Sequence, residues 1–340
     1  MGKDERGIPM DTLDLRMFDN TNTTADTGLS AEMRTYYSDY LIDNAGPELV
    51  HEQFGQRQPI PENGGRMIEF RKYSPLTKAL TPITEGVTPS GKKLNVSTVT
   101  AEVKQYGDYI EMSDVLMLTA IDNNLLQATK LLGAQAGQTL DTITREVLVG
   151  GTNVQYAEGQ VSSRAALVGG SATVENNHYL TVDAIRQAVR FLKNQNAKPI
   201  NGSFVGIIHP DVSYDLMNDP KWVNVKTYSD PDGIYEGEIG KIENVRFVET
   251  TEAKKFVGAG AGGRDIYVTL VIGDNAYGVT EVAGGGLQHI VKQVGSAGTA
   301  DPLNQRATAG WKALKTAERL VEQFMVRIET TSTFSDGVEN

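Results

Sequence analysis

The residues nearest to a known chemistry are glycines followed by lysine. Gly86-Val87-Thr88-Pro89-Ser90-Gly91-Lys92-Lys93 has almost the spacing of a phosphate-cradling loop, in which backbone amides wrap an anion and lysine neutralises it. Two parts are missing. No Ser or Thr follows the lysine to hold magnesium, and a strand-like run follows where a helix N-terminus should face the phosphate. Gly258, Gly260 and Gly263 spell GxGxxG, but Arg264 to Ile272 is strand-like, so the dinucleotide fingerprint lacks its helix and a surface loop is expected. His51, His178, His209 and His289 lie far apart and form no paired zinc motif. His209 precedes a proline at a strand end and reads as structural. There is no cysteine and no GxSxG elbow. An enzyme that binds nucleotide through Gly86–Lys93 is therefore the weaker reading. The plainer one is a lysine-bearing hairpin tip, and no cofactor or metal is expected. Trp222 and Trp311 read as packing residues.

The elements that would carry such residues are organised around Ser113 to Val149. Apolar residues fall at Leu118, Ile121, Leu125, Ala128, Leu132, Ala136, Leu140, Ile143 and Val147, a stripe down one helix face. Ser113 and Asp114 suit a cap, and Asp122-Asn123 predicts a break near 120–123. Gly150-Gly151 predicts an end in the left-handed conformation. The long piece would span roughly 40 Å, which calls for something to lie against.

Before it, residues 1 to about 28 are polar and aperiodic and read as an arm. Residues 1–65 hold 12 Asp/Glu and 5 Lys/Arg, so they carry −7 of the net −11. A helix is expected from Ser30, with Tyr36, Tyr37, Tyr40 and Leu41 on one side, and a stubby one over 48–55. In 66–111, RMIEFRKY and LNVSTVTAEVKQYGDYIEM read as two strands around a tip rich in Pro, Gly and Thr. That hairpin holds 7 Lys/Arg and 5 Asp/Glu, is low in apolar residues, and needs another surface to lie on.

After the helix, 152–178 reads as loop with a short strand. Thr181 to Asn196 predicts an amphipathic helix, Phe204 to His209 a strand, and Pro210 onward a helix with proline in its first turn. A loop follows to Gly237, with a DPDG turn. GKIENVRFVETT reads as one strand and DIYVTLVIGDNAYGVTEV as a strand pair. Residues 284–310 read as loop, and a strand closes the chain. Helices and strands mix without βαβ alternation: α+β. No apolar run reaches membrane-span length, there is no secretory h-region, and the absence of cysteine suits a reducing cytoplasm. The acidic balance makes the chain a poor candidate for tight duplex binding.

The order of these pieces resembles the major capsid proteins of tailed bacteriophages with the Hong Kong 97-type fold, in the branch of the N4-like phage coat proteins. The residues that carry the resemblance are the helix of Ser113–Val149, FVGIIHPDVSYDLM, GEIGKIENVRFVETT, LVIGDNAYGVTEV and ALKTAERLVEQFMVRIETTS. It implies an N-terminal arm with short helices (1–65), an extended hairpin or E-loop (66–112), a spine helix with the first part of a peripheral domain (113–180), an axial domain (181–300), and a return to the peripheral domain with a C-terminal tail (301–340). It also implies a non-catalytic subunit, assembled as hexamers and pentamers into an icosahedral head around double-stranded DNA, in the host cytoplasm and away from membranes. A separate scaffolding protein, a portal and a decoration protein would be its partners. Lys78, Lys92, Lys93, Tyr36, Tyr37 and Tyr40 would be inter-subunit contacts, and lysine cross-linking is not expected. A host-encoded, encapsulin-like nanocompartment shell is the alternative.

Overall fold

The structure is a computed structural model. It describes residues 41, 45, 49–59, 66–73, 76, 78–83, 85–88, 90–119, 124–170, 177–222, 238–280, 287–296, 301–338 and 340. The organising stretch forms two helices, α1 (Asp114–Thr119) and α2 (Asn124–Val149). The Ser113 hydroxyl accepts the Leu116 amide at 3.2 Å and the Asp114 carboxylate accepts the Val115 amide at 2.8 Å, the expected capping. The expected break at 120–123 falls outside the described residues. Ala128, Leu132, Ala136 and Leu140 are buried as predicted. Leu118 is instead 83% exposed, because no described part of the subunit covers this side of α1. Past Leu140 the buried positions become Asp141, Thr144, Arg145 and Leu148, while Ile143 and Val147 are half-buried. The shift follows a change of neighbour. The N-terminal half of α2 packs in one apolar cluster and its last turn in another.

The end of α2 differs from expectation. Neither Gly150 nor Gly151 has positive φ. They are small because side chains come close: a Cβ on Gly150 would lie 2.9 Å from Arg319 Nη1, and one on Gly151 3.2 Å from Glu322 Oε1. Arg319 donates to the Val147 carbonyl and Arg327 to the Val149 carbonyl. Two guanidiniums thus satisfy terminal acceptors and oppose the negative end of the helix dipole.

Among the described residues the strands form four sheets. The largest runs β5 (Val154–Tyr156), β15 (Met325–Thr330), β10 (Ile266–Ile272), β6 (Phe204–Ile208), β8 (Val245–Glu249) and β7 (Glu238–Ile242), with β9 (Lys255–Phe256) also paired to β10. β5 with β15 and β6 with β8 are parallel, and the other pairs are antiparallel. All of β6 and β10 is buried, as a sheet covered on both faces requires. One face packs under α3 (Val182–Asn194) and α4 (Pro210–Met217), whose starts are those read from sequence. The Thr181 hydroxyl accepts the Ala184 amide, and the His209 ring nitrogen accepts the Asp211 amide ahead of Pro210. The other face packs against Leu148 and Val149 of α2.

A three-stranded sheet, β12 (Leu287–Lys292), β13 (Arg306–Lys315) and β4 (Lys104–Ser113), lies along α2. Leu41 and Ala45, both helical, bury into that contact. A second three-stranded sheet joins β1 (Gln56–Gln58), β11 (Tyr277–Thr280) and β14 (Ala317–Arg319), and β2 (Met67–Tyr73) pairs with β3 (Val96–Glu102).

Several expectations are corrected. Residues 49–55 form turns leading into β1, not a helix, since His51 is drawn into a buried contact. LNVSTVTAEVKQYGDYIEM serves two sheets, dividing at Val103. GKIENVRFVETT is a hairpin: Glu243 and Asn244 take positive φ, 49° and 69°, in its two-residue turn. Within 284–310, β12 and the start of β13 are strands; in β12 the alternation is hidden because His289 takes an inward position and Ile290 an outward one. The DPDG turn lies outside the described residues.

Leu132 sits at 2% exposure in the α2 contact. Leu132→Asp buries an unpaired charge costing several kcal/mol, comparable with total stability, so circular dichroism should show an unfolded subunit. A melting curve like that of the parent chain would mean that this face is not core.

Candidate functional site

The β2–β3 hairpin has a buried root and an exposed reach. Met67 pairs with Glu102 and Tyr73 with Val96. Ile68, Phe70, Ala101 and Val103 pack against Leu320 and Val321 of the same subunit. Gly278 makes this possible: a Cβ there would lie 2.3 Å from the Phe70 ring. The expectation that the whole hairpin lies on another surface is therefore corrected at its root. Beyond Tyr73 the connecting chain exposes Leu76, Leu80 (83%), Ile83, Val87 and Leu94. It is not low in apolar surface, as the sequence reading held. Lys78, Lys92 and Lys93 are exposed on the same stretch. Tyr36, Tyr37 and Tyr40 lie outside the described residues.

A second apolar surface sits on α1. Val115, Leu116, Met117 and Leu118 are all exposed. Leu303 is exposed as well, two residues before Gln305, whose carbonyl accepts the Asp114 amide at 2.9 Å. The stripe analysis assigned Leu118 to the core because periodicity cannot distinguish a subunit's own core from a surface meant for another molecule.

Between these surfaces lies a buried polar anchor that the sequence reading missed. Asp141, on α2, has no exposed side chain. One of its oxygens accepts the His51 amide at 2.6 Å, and the other lies 2.6 Å from His51 Nδ1. The His51 carbonyl accepts the Tyr277 hydroxyl at 2.5 Å. Next in chain, Glu52 accepts from Lys315 Nζ at 2.6 Å, and both are buried. Burial pushes the Lys315 ammonium below its ordinary pKa, against the opposing pull of Glu52. Burial likewise pushes the Tyr277 phenol far up, so it remains a donor. Two adjacent residues thereby fasten the N-terminal side of the chain to α2, β11 and β13. Asp141 at an i+1 offset from the apolar stripe was the available signal.

The C-terminal stretch is fastened by carboxylates too. Asp215 accepts the Ser332 hydroxyl, the Thr333 amide and the Thr333 hydroxyl at 2.6–2.9 Å. Asp265 accepts the amides of Gly258 and Gly337 and the Ser335 hydroxyl. Lys255 holds Asp336 at 2.9 Å. Burial would raise the Asp265 pKa, but the three donors outweigh it and hold it below the ordinary value. Lys255, as hydrogen-bond donor, lowers that of Asp336.

The phosphate-loop motifs lack their helices. Gly86 has φ 77° and open space around it, and the chain after Lys93 enters β3. Gly258, Gly262 and Gly263 have positive φ in a loop that enters β10. His209 is a helix cap whose ring packs against Tyr267 at a tilt of 51° with centroids 5.0 Å apart, and burial lowers its pKa. Trp222 and Trp311 are buried. Among the described residues, no three or more His, Asp or Glu are arranged to hold a metal ion, and no helix is long and apolar enough to cross a membrane.

The family model described as "Phage capsid protein" matches residues 117–289, just over half of the chain. No curated protein matches the sequence. Among solved structures, the chain is similar to the capsid of Ralstonia phage GP4, with 17% identity and TM-score 0.61 over 84% of this chain and 89% of that one. It is also similar to the cyanophage Pam1 capsid, with 13% identity and TM-score 0.63 over 84% and 92%. A virus-like particle from Pyrococcus furiosus matches at 9% identity and TM-score 0.51 over 87% and 99%. These likenesses establish the fold.

Two outcomes test the internal anchors. Lys315→Met leaves Glu52 buried and unpaired, and should cost about 3–5 kcal/mol in denaturant titration. Adding Glu52→Gln should recover part of that loss; no recovery would mean that the pair does not act as a unit. The tail should respond to acid. Asp265 and Asp336 have depressed folded pKa values, so their contribution is full above the unfolded value near 3.8 and is lost as pH falls below it. Amide-exchange protection over 332–338, corrected for intrinsic rate, should hold down to about pH 4 and drop between about pH 4 and pH 2. Protection that stays constant across that window would remove the carboxylates as the fastening.

Proposed function

The chain belongs to the phage capsid protein family, and from that premise we propose that copies of it close into hexamers and pentamers as the wall of an icosahedral phage head around double-stranded DNA. The observation that carries the reading is a subunit with a settled interior and two unsettled apolar surfaces. Leu76, Leu80, Ile83, Val87 and Leu94 project from the hairpin, and Val115–Leu118 with Leu303 project at the end of the spine. Patches of this kind mark surfaces meant for another molecule. In the assembled wall the hairpin, acting as the E-loop, lies over an adjacent copy, with the apolar face of α1 as its seat. Such a contact joins unlike surfaces of identical chains, which is the type that closes rings.

Residues 1–65 serve as an arm, 66–112 as the reaching hairpin, 113–180 and 301–340 as the peripheral domain and 181–300 as the axial domain. Lys78, Lys92 and Lys93 give the hairpin its positive charge and meet an acidic neighbour, since the chain is −11 overall and −7 lies in 1–65. Tyr36, Tyr37 and Tyr40 contact the next copy. The same acidic balance lets packaged DNA lie alongside without being gripped. The subunit is non-catalytic, works without a cofactor, and assembles in the host cytoplasm with a separate scaffolding protein, a portal and a decoration protein.

A host-encoded nanocompartment shell is the second reading, and the likeness to the Pyrococcus particle supports it at the level of fold. Neighbouring genes separate the two: terminase and portal genes belong with the first, a cargo enzyme with the second.

Removing 75–91 takes away most of the exposed hairpin and little buried surface. The shortened chain should keep the parent's circular dichroism and melting temperature, yet form no shells in electron micrographs. Shells of normal size from this variant would sink the proposed contact, and an unfolded product would place the hairpin tip in the subunit core.

A further inference from the structure

The β12-β13-β4 sheet has one face on α2 and one in solvent. Ala309, Trp311 and Ala313 of β13 belong to the core with α2, so by strand alternation Thr308, Gly310 and Lys312 face outward. Gly310 lies in register between Tyr109 of β4 and Ile290 of β12. With no side chain at 310, Tyr109 and Ile290 (65% and 38% exposed) wall a slot of about 380 Å³. Glycine is needed on its floor: a Cβ would lie 2.8 Å from Tyr109 Cβ and 2.9 Å from the Asp108 carbonyl oxygen. Lys292, in register with Thr308, lines the slot, and Lys312, in register with Gln288, lies on the same outward face of β13 two residues beyond Gly310. The acids nearby are engaged. Asp108 accepts the Gln135 side-chain amide at 2.7 Å and the Tyr109 amide at 2.8 Å, and Glu111 accepts from Arg306 at 3.0 Å.

We propose that this slot receives the acidic N-terminal segment of the chain, within residues 1–28, with an apolar side chain between Tyr109 and Ile290 and carboxylates against Lys292 and Lys312. Charge selects this occupant. Residues 1–28 hold six Asp/Glu and three Lys/Arg, and Asp11, Asp14 and Asp19 alternate with Leu13, Leu15, Met17 and Phe18. The hairpin tip over 74–95 carries Lys78, Lys92 and Lys93 against Glu85 alone, the same sign as the lysines at the slot, and is repelled. Reach permits it. Leu41 is buried in the contact on the opposite face of this same sheet. The 13 residues from 28 to 41 span about 40 Å when extended, more than the width of three strands at about 4.8 Å each.

The test uses the full chain with a photo-reactive benzoylphenylalanine in place of Tyr109. After irradiation, mass spectrometry of the digest should find cross-links to residues 1–28. The Lys292→Glu, Lys312→Glu pair should reduce their yield several-fold. Adding Asp11→Lys, Asp14→Lys and Asp19→Lys to that pair should restore it, and raised salt should weaken capture in the parent. Cross-links confined to 74–95, capture of nucleic acid in place of protein, or a yield indifferent to the charge reversals would each overturn the proposal. Failure of restoration in a variant with the parent's circular dichroism would overturn it as well.

Discussion

Two buried polar pairs decide how the subunit is put together. His51–Asp141 and Glu52–Lys315 are neighbours in sequence on one side and come from a helix and a strand on the other. Desolvating such groups costs more than an apolar contact of similar volume would. In return they resist alternative arrangements, because any shift leaves a buried polar group without its partner. The Tyr277 hydroxyl adds a third tie to the His51 carbonyl, and Gly55 leaves room for the ring, since a Cβ there would lie 2.6 Å from it. The path of the chain into β1, the setting of α2 and the position of the β11 and β13 sheets are therefore mutually fixed.

From that fixed point further side-chain ties close the interior. The two arginines at the end of α2 come from β14 and β15, so the helix terminus is tied to strands of two sheets. Arg164 holds Glu329 with two hydrogen bonds and lies over the Phe256 ring at 3.4 Å. The tail is held on the large sheet's side by Asp215, Asp265 and Lys255. Apolar surface remains exposed in the two places already described and nowhere so concentrated among the other described residues. A subunit built this way arrives at assembly with its shape decided and its contacts open.

Much of the fold could be read from local signals. The spine helix, Thr181 as a cap, the apolar β6 run and Pro210 at a helix start all rest on interactions within a few residues of each other, and periodicity and capping report such interactions well. The anchor could not be read, because an Asp in a helix and a His-Glu pair ninety residues earlier have no local relation. The division at Val103 was hidden for a related reason: both halves favour strand, and only the distant partners β2 and β13 differ. Leu118 and the Gly150-Gly151 pair show the same limit from the other side. Their types were informative, but the reason lay in what approaches them: nothing among the described residues for Leu118, and the Arg319 and Glu322 side chains for the glycines.

Val103 has a mechanical meaning. The Val103 amide still donates to the Arg66 carbonyl at 2.8 Å, while Glu102 pairs toward β2 and Lys104 toward β13. No slack residue separates the projecting hairpin from the sheet that lies along the spine. Tension applied to the tip is therefore carried along one continuous strand into the sheet that packs along α2, as along a tendon anchored in bone.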